Sequence, residues 1–180
     1  VSDTAAKILE ELEYPARTVE LARIAGYMHD IGNCVNRTDH AHNGAIMAMA
    51  ILRDMGMKPD EIATVIAAIG NHDEKTGTAV DAVSAALILA DKTDVRRNRV
   101  RDKDRAAFDI HDRVNYAVTE AKLKINKEKK LISLNLQIDE NICTMYEYFD
   151  IFLGRMMMCR GAAEILDMKF RLTANGSKVL

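Results

Sequence analysis

A chain of 180 residues, 48% hydrophobic with only 2 prolines and no tryptophan, is long enough for one well-cored domain plus a small addition, and its Ala, Ile, Leu and Met favour helix over strand. A formal charge of −2 supplies no global field for a polyanion, which argues against a nucleic-acid partner unless a local basic patch holds it. The odd, widely spaced cysteines Cys34, Cys143 and Cys159 fit reduced thiols better than a disulfide framework, and no apolar run reaches the ~20 residues of a membrane span or reads as a signal peptide, so the expectation is a soluble, cytoplasmic protein.

In chain order, Ile8, Leu9 and Leu12 recur at helical spacing within residues 4–12, until Tyr14-Pro15 breaks the run. A second helix over residues 17–28 turns Val19, Ala22, Ile24 and Ala25 toward a core, and His29-Asp30 ends it. Gly32 and Asn33 punctuate a loop, and Asp39 is the expected N-cap of a helix over about residues 40–55 that Gly56 stops. Pro59 restarts the chain, with Ile62, Val65, Ile66 and Ile69 as the buried stripe of a helix ending near His72. Residues 81–93 are rich in Ala and Leu with almost no charge before Asp91, as befits the centre of a bundle.

Beyond Asp94 the composition changes. Arg96, Arg97, Arg99, Arg101, Lys103 and Arg105 alternate with acids in a segment expected on the surface near the site's mouth, with a solvated face as the plain alternative. A helix over about residues 109–125 and a basic turn over 126–130 follow. Leu131–Ile138 then alternates apolar and polar residues, the period of a half-buried strand. Residues 140–166 read as another helix, with Met156-Met157-Met158 as core or dimer contact. Ala174-Asn175-Gly176 joins two final strands, because Asn-Gly tolerates the positive φ of a tight turn. The expected fold class is mainly α: a helical bundle over residues 1–125 carrying a small C-terminal α+β appendage, β-α-β-β, over residues 126–180. The appendage shows no catalytic motif; it is expected to pair subunits or bind a regulator, with an exposed strand edge at Leu131–Ile138 suited to a symmetric homodimer.

The chemistry concentrates in the first half. His29, His40, His42 and His72 are four of the 5 histidines, and with Asp30 and Asp91 they read as a metal site. Mixed nitrogen and oxygen donors suit Fe, Mn, Co, Ni or Zn, whereas Mg and Ca prefer oxygen alone. Neighbouring residues on a helix point about 100° apart, so His29 and Asp30 at a helix end suit one ion and a bridge to a second better than a chelate from one face. One or two ions are therefore expected. The plain reading of any His-Asp pair is a chance dipeptide, and His111-Asp112, with no matching ligands downstream, is read that way. Cys34 is read as a bystander thiol.

The segments Met28-His29-Asp30-Ile31-Gly32, His40-Ala41-His42-Asn43-Gly44-Ala45, Ala68-Ile69-Gly70-Asn71-His72-Asp73 and Leu89-Ala90-Asp91-Lys92-Thr93-Asp94 together resemble the HD superfamily of metal-dependent phosphohydrolases. The resemblance implies that His29, Asp30, His72 and Asp91 ligate metal. His40, four residues before Gly44, is the first choice for the histidine that opens the next helix, and His42 is the alternative. Asp73 stands where two-metal members carry the second histidine of a doublet. Asp94 resembles a substrate-side carboxylate, Asp30 would bridge or orient the nucleophile, and Asp73 and Asp94 are the candidate general acids. The family usually opens with a histidine on its first helix, yet none occurs from Val1 to Met28; by spacing that ligand would precede Val1, unless the protein lacks it. Asn33 replaces a lysine found in many members, which leaves Lys92, Arg96, Arg97, Arg99 and Arg101 to hold substrate phosphates.

The implied activity is hydrolysis of a small phosphorylated substrate, an ester or anhydride, by a metal-activated water. A nucleotide is favoured only because the resembled family often acts on nucleotides; nothing in the sequence reads a base. The alternative is a catalytically inactive HD-type sensor or scaffold that binds a ligand or partner. Nucleic-acid binding through residues 96–105 is the least favoured reading.

Overall fold

The computed structural model describes residues 1–95 and 110–179. Helices α1 (Ser2–Glu11) and α2 (Ala16–Met28) form a hairpin in which the start of α1 lies against the end of α2: the Ser2 hydroxyl donates to the Arg23 carbonyl, 2.6 Å away. Their facing sides bury Ala5, Ala6, Ile8 and Leu9 against Val19, Leu21, Ala22 and Ala25. A 3-10 turn (Ile31–Cys34) leads to α3 (His40–Asp54), which packs on α4 (Pro59–Gly70). Pro59 opens α4, where its fixed φ suits a first turn and its missing N–H costs nothing.

Helix α5 (Ala82–Lys92) runs through the middle, packed on α1, α2, α4 and α7. Its start is fixed by a reciprocal cap: the Ser84 amide donates to the Asp81 carboxylate at 2.7 Å, and the Asp81 amide to the Ser84 hydroxyl at 2.8 Å. Every side chain from Val83 to Ala90 is then buried, which accounts for the run without charge.

The C-terminal part comprises α6 (Ile110–Ala117), β1 (Val118–Asn126), β2 (Leu131–Ile138), α7 (Met145–Ile165), β3 (Lys169–Ala174) and β4 (Ser177–Lys178). The four strands form one mixed sheet in the order β1-β2-β3-β4, antiparallel except for the parallel pair β2-β3. That parallel pair needs a crossover, and α7 supplies it. Ile132, Leu134 and Leu136 of β2 and Phe170, Leu172 and Ala174 of β3 are buried, and α7 packs on β3 and also on α5, so it ties the helical part to the sheet. Asn175 and Gly176 take φ of 48° and 81° in the β3-β4 turn, as its Asn-Gly sequence requires. Among the described residues, no helix is long and apolar enough to cross a membrane.

The mainly helical fold with a small α+β addition is as expected, but four local readings are corrected. The helix expected over residues 109–125 stops at Ala117, and Val118–Asn126 is a strand. Its Glu, Ala, Lys and Leu favour helix on their own, yet Lys122 and Lys124 alternate with Ala121, Leu123 and Ile125 and pair along β2, so cross-strand pairing overrides propensity. The addition is thus β-β-α-β-β rather than β-α-β-β. β2 is not an exposed edge, because β1 and β3 flank it. The last long helix begins at Met145 rather than near residue 140, where Thr144 and Glu147 make a reciprocal cap. Asp39 holds the N-cap position of α3 but does not cap it: at φ 63° its carboxylate accepts from His42 Nδ1 instead of a backbone amide. The arginine-rich segment, with Arg96, Arg97, Arg99 and Arg101, lies outside the described residues.

Candidate metal centre

Five donors come together from helix ends at one end of the bundle. His29 follows the last turn of α2, Asp30 precedes the 3-10 turn, His40 opens α3, His72 lies just past α4, and Asp91 is in the last turn of α5. Three of these helices, α2, α4 and α5, direct their C-termini here, where unpaired carbonyls place partial negative charge that favours a cation. The turn that brings Asp30 to His40 depends on Gly32. A Cβ there would sit 2.1 Å from the His40 carbonyl oxygen and 2.6 Å from the Gly44 nitrogen, so only glycine lets the 3-10 turn press on the first turn of α3.

The imidazoles are oriented from behind. His29 Nδ1 lies 2.9 Å from the Gly26 carbonyl, His40 Nδ1 3.1 Å from that of Arg37, and His72 Nδ1 2.6 Å from that of Ile69. A carbonyl only accepts, so each Nδ1 carries a proton and each Nε2 faces inward, where it offers a lone pair whenever the ring gives up its second proton. Metal-ligating histidines are held in this way. His40 Nε2 and His72 Nε2 are 3.2 Å apart, an arrangement in which two lone pairs face each other unless a proton or a cation lies between them. The donor chemistry therefore fits a metal ion.

Asp30 divides its oxygens between the rings. Oδ2 is 3.6 Å from His29 Nε2, while Oδ1 is 3.5 Å from His40 Nε2 and 3.8 Å from His72 Nε2. Asp91 Oδ1 is 3.7 Å from His29 Nε2, and its Oδ2 accepts from Lys92 Nζ at 2.7 Å. Two donor groups result, His29 with His72 and Asp91, and Asp30 with His40 and His72. His72 belongs to both and is 1% exposed.

Burial and charge act against each other here. The neighbouring His72 ring holds the Asp30 carboxyl at a pKa of about 2 although burial opposes it. Burial would raise Asp91, but the His29 ring and the Lys92 ammonium outweigh it and keep the carboxyl well below its ordinary range. Burial likewise pulls His29 down, and Asp91 and Asp30 reverse this so that the net direction is up. His40 moves down, through burial and the facing His72 ring. Two carboxylates that stay ionised among inward-facing imidazole nitrogens form a ready cation site.

Not every expected residue joins the cluster. His42 lies on the exposed side of α3 bonded to Asp39, and neither it, Asp73 nor Asp94 is in either donor group. Lys92 is only 6% exposed and bonded to Asp91, a role as ligand holder that sequence reading missed; its place directly after the aspartate near a helix end was the available signal. The pair His111-Asp112 falls in α6. The start of α1 meets Gly26, one turn before His29: a Cβ on Gly26 would lie 2.7 Å from Ser2 Cα.

The family model described as HD domain matches residues 1–113, which contain all five convergent donors. No curated protein and no solved structure matches the chain. With more than half its length matched, the chain belongs to the HD domain family.

Proposed function

We propose that this protein is a metal-dependent phosphohydrolase acting on a small phosphate ester or anhydride, with a nucleotide as the favoured substrate. The observation that carries the reading is the convergence of three Nε2 atoms on the two oxygens of Asp30. A neutral imidazole nitrogen has one lone pair, so His72 serves a single ion despite belonging to both donor groups. Its 3.2 Å approach to His40 supports placing it on the Asp30 Oδ1 side. His29, Asp91 and Asp30 Oδ2 would then hold one ion, and His40, His72 and Asp30 Oδ1 a second, with Asp30 as the bridge. Divalent Fe, Mn, Co, Ni or Zn suits this donor mixture better than Mg. Such ions supply Lewis acidity, which lowers the pKa of water and polarises a phosphoryl oxygen.

The chain's own groups do the rest. Backbone carbonyls fix the three rings, and Lys92 holds Asp91 Oδ2 so that Oδ1 faces His29. Asp73 and Asp94, next to His72 and one turn past Asp91, are the proposed proton donors to the leaving group. Arg96, Arg97 and Arg99 are the proposed phosphate contacts, since guanidinium groups bind phosphate oxygens in forked pairs. Lys92, expected at the substrate, is assigned to Asp91 first and to substrate through that carboxylate's position.

Phosphate release from nucleoside mono-, di- and triphosphates, assayed with Mn, Fe and Mg in turn, tests the proposal. Release that requires Mn or Fe, stops with chelator and is lost in Asp30→Ala would support it. Metal binding without release from any phosphate ester or anhydride would refute hydrolysis and favour the sensor or scaffold reading.

A further inference from the structure

Helix α7 is apolar on both sides. Its inner side buries Tyr148, Phe152, Met156 and Cys159 against the rest of the molecule, as expected for a crossover helix. Its outer side exposes Tyr146, Asp150, Leu153, Met157, Arg160 and Glu164, which recur at spacings of three and four along one face, with Ile165 exposed to one side of it. Tyr146 is 80% exposed and Leu153 48%, large apolar groups left in water on a regular helix. Gly154 and Gly161 lie along the same face, and a Cβ at either would meet nothing within 4 Å, so the helix backbone itself is open to close approach.

The order of chemistry on this face is self-complementary about residue 155. Leu153 and Met157 stand equally far from that point, as do Asp150 and Arg160, an acid and a base. Tyr146 on one arm answers Glu164 on the other, and Glu164 already lies 3.8 Å from Arg160 within the helix, so Arg160 would face Asp150 of the second copy from an existing pair. Two copies running antiparallel would set apolar residues against apolar ones at the centre and meet each aspartate with an arginine, twice, about a two-fold axis. Only an isologous contact makes one surface match itself in this way.

The sheet edges are poor competitors. β4 is two residues long, and β1 carries Lys122 and Lys124 and a register shift between Val118 and Glu120, devices that discourage edge pairing.

We infer that α7 is the contact face of a symmetric homodimer, covered by α7 of a second copy in antiparallel orientation. The helix is ~31 Å long at 1.5 Å per residue. A contact limited to it falls at the small end of specific interfaces, below about 1,200 Å² in total. The dimer is therefore reversible and forms with rising concentration. The inference is independent of the catalytic reading, because none of these residues lies in the metal cluster.

Sedimentation equilibrium of the whole 180-residue chain over a micromolar concentration series tests it. Wild type should dimerise, and Asp150→Arg or Arg160→Asp alone should weaken the dimer by about tenfold or more, since like charges then face each other twice. The double variant Asp150→Arg/Arg160→Asp should recover it, and Leu153→Glu should abolish it. Circular dichroism of each variant separates lost pairing from lost folding, and the charge exchange decides the matter even if Leu153→Glu fails to fold. A wild type that stays monomeric throughout, a dimer indifferent to all these changes, or single reversals that the double variant does not rescue would overturn the inference.

Discussion

Helices α5 and α7 are both rich in apolar and small residues, yet α5 is enclosed on every side while α7 is enclosed on one. α5 lies among α1, α2, α4 and α7, and its side chains from Val83 to Ala90 are all buried. α7 rests on α5 and β3 and leaves Leu153 and Met157 in solvent. The difference shows that apolar composition marks a helix as a core element only where neighbours surround it. It also bears on function: Asp91 hangs from the last turn of the enclosed helix, so the metal cluster borrows its rigidity from the best-packed element.

Truncation inside the enclosed helix should have the largest effect on stability. Leu87→Ala removes a side chain with no exposure and should cost about 2–5 kcal/mol by transfer and cavity terms, read as a fall in denaturation midpoint at constant slope. A loss below about 1 kcal/mol would mean that α5 is less tightly enclosed than its burial implies. At the end of the same helix, Lys92→Met leaves the buried Asp91 without its ammonium partner. Metal affinity should fall by ~10–100-fold, as for other groups that orient a ligand from behind. Unchanged affinity in a calorimetric titration would remove Lys92 from the site.

The metal cluster and α7 should also differ in their pH response. In metal-free protein, burial lowers His29 but Asp91 and Asp30 raise it further, so its net pKa lies above 6.5. Folding then favours the charged ring: this stabilisation is full below pH 6.5 and is lost as pH rises through the raised value. Asp30 runs the other way, contributing above pH 3.8 and losing its contribution as pH falls toward about 2. On α7, burial pushes the Cys159 thiol up to about 12, so it stays neutral across that range. Thermal midpoints of metal-free wild type and His29→Gln should therefore converge as pH rises above the His29 value; a constant gap would contradict the assignment.

The smallest effects belong to the surface of α7. Leu153→Ala, measured in protein dilute enough to be monomeric, should alter stability by no more than about 0.5 kcal/mol. A larger loss would show that something within the chain covers this face. Thiol labelling probes the inner side of α7: buried Cys159 there, like Cys143 just before the helix, should wait for unfolding, while exposed Cys34 in the 3-10 turn should react rapidly in native protein. Fast labelling of Cys159 would place the inner side of α7 in contact with solvent.

The helical half was legible because its signals are local. Apolar spacing, Pro59 and the uncharged run before Asp91 specify helices whose ends then carry His29, His40, His72 and Asp91. The strand at Val118–Asn126 was not legible, because Glu120, Ala121, Lys122 and Leu123 become a strand only through pairing with β2. For the same reason, Leu131–Ile138 displays its alternation but not its central place in the sheet. In the site, the order of donors could be read, whereas the split of Asp30 between rings and the capture of Lys92 by Asp91 depend on how separate helix ends meet. Asp39 shows the limit of a local rule: the residue type suits a cap, but His42 takes its carboxylate.

Titration of metal-free protein with Mn or Co, in parallel with Asp30→Ala and His72→Ala, addresses the cluster itself. Convergent Nε2 atoms sharing one carboxylate predict saturable binding to wild type that weakens by more than about 100-fold in each folded variant, beyond the loss expected for an outer-shell partner. Wild type that takes up neither ion, or variants that bind as tightly as wild type, would show that the meeting of His29, Asp30, His40, His72 and Asp91 is not a metal site.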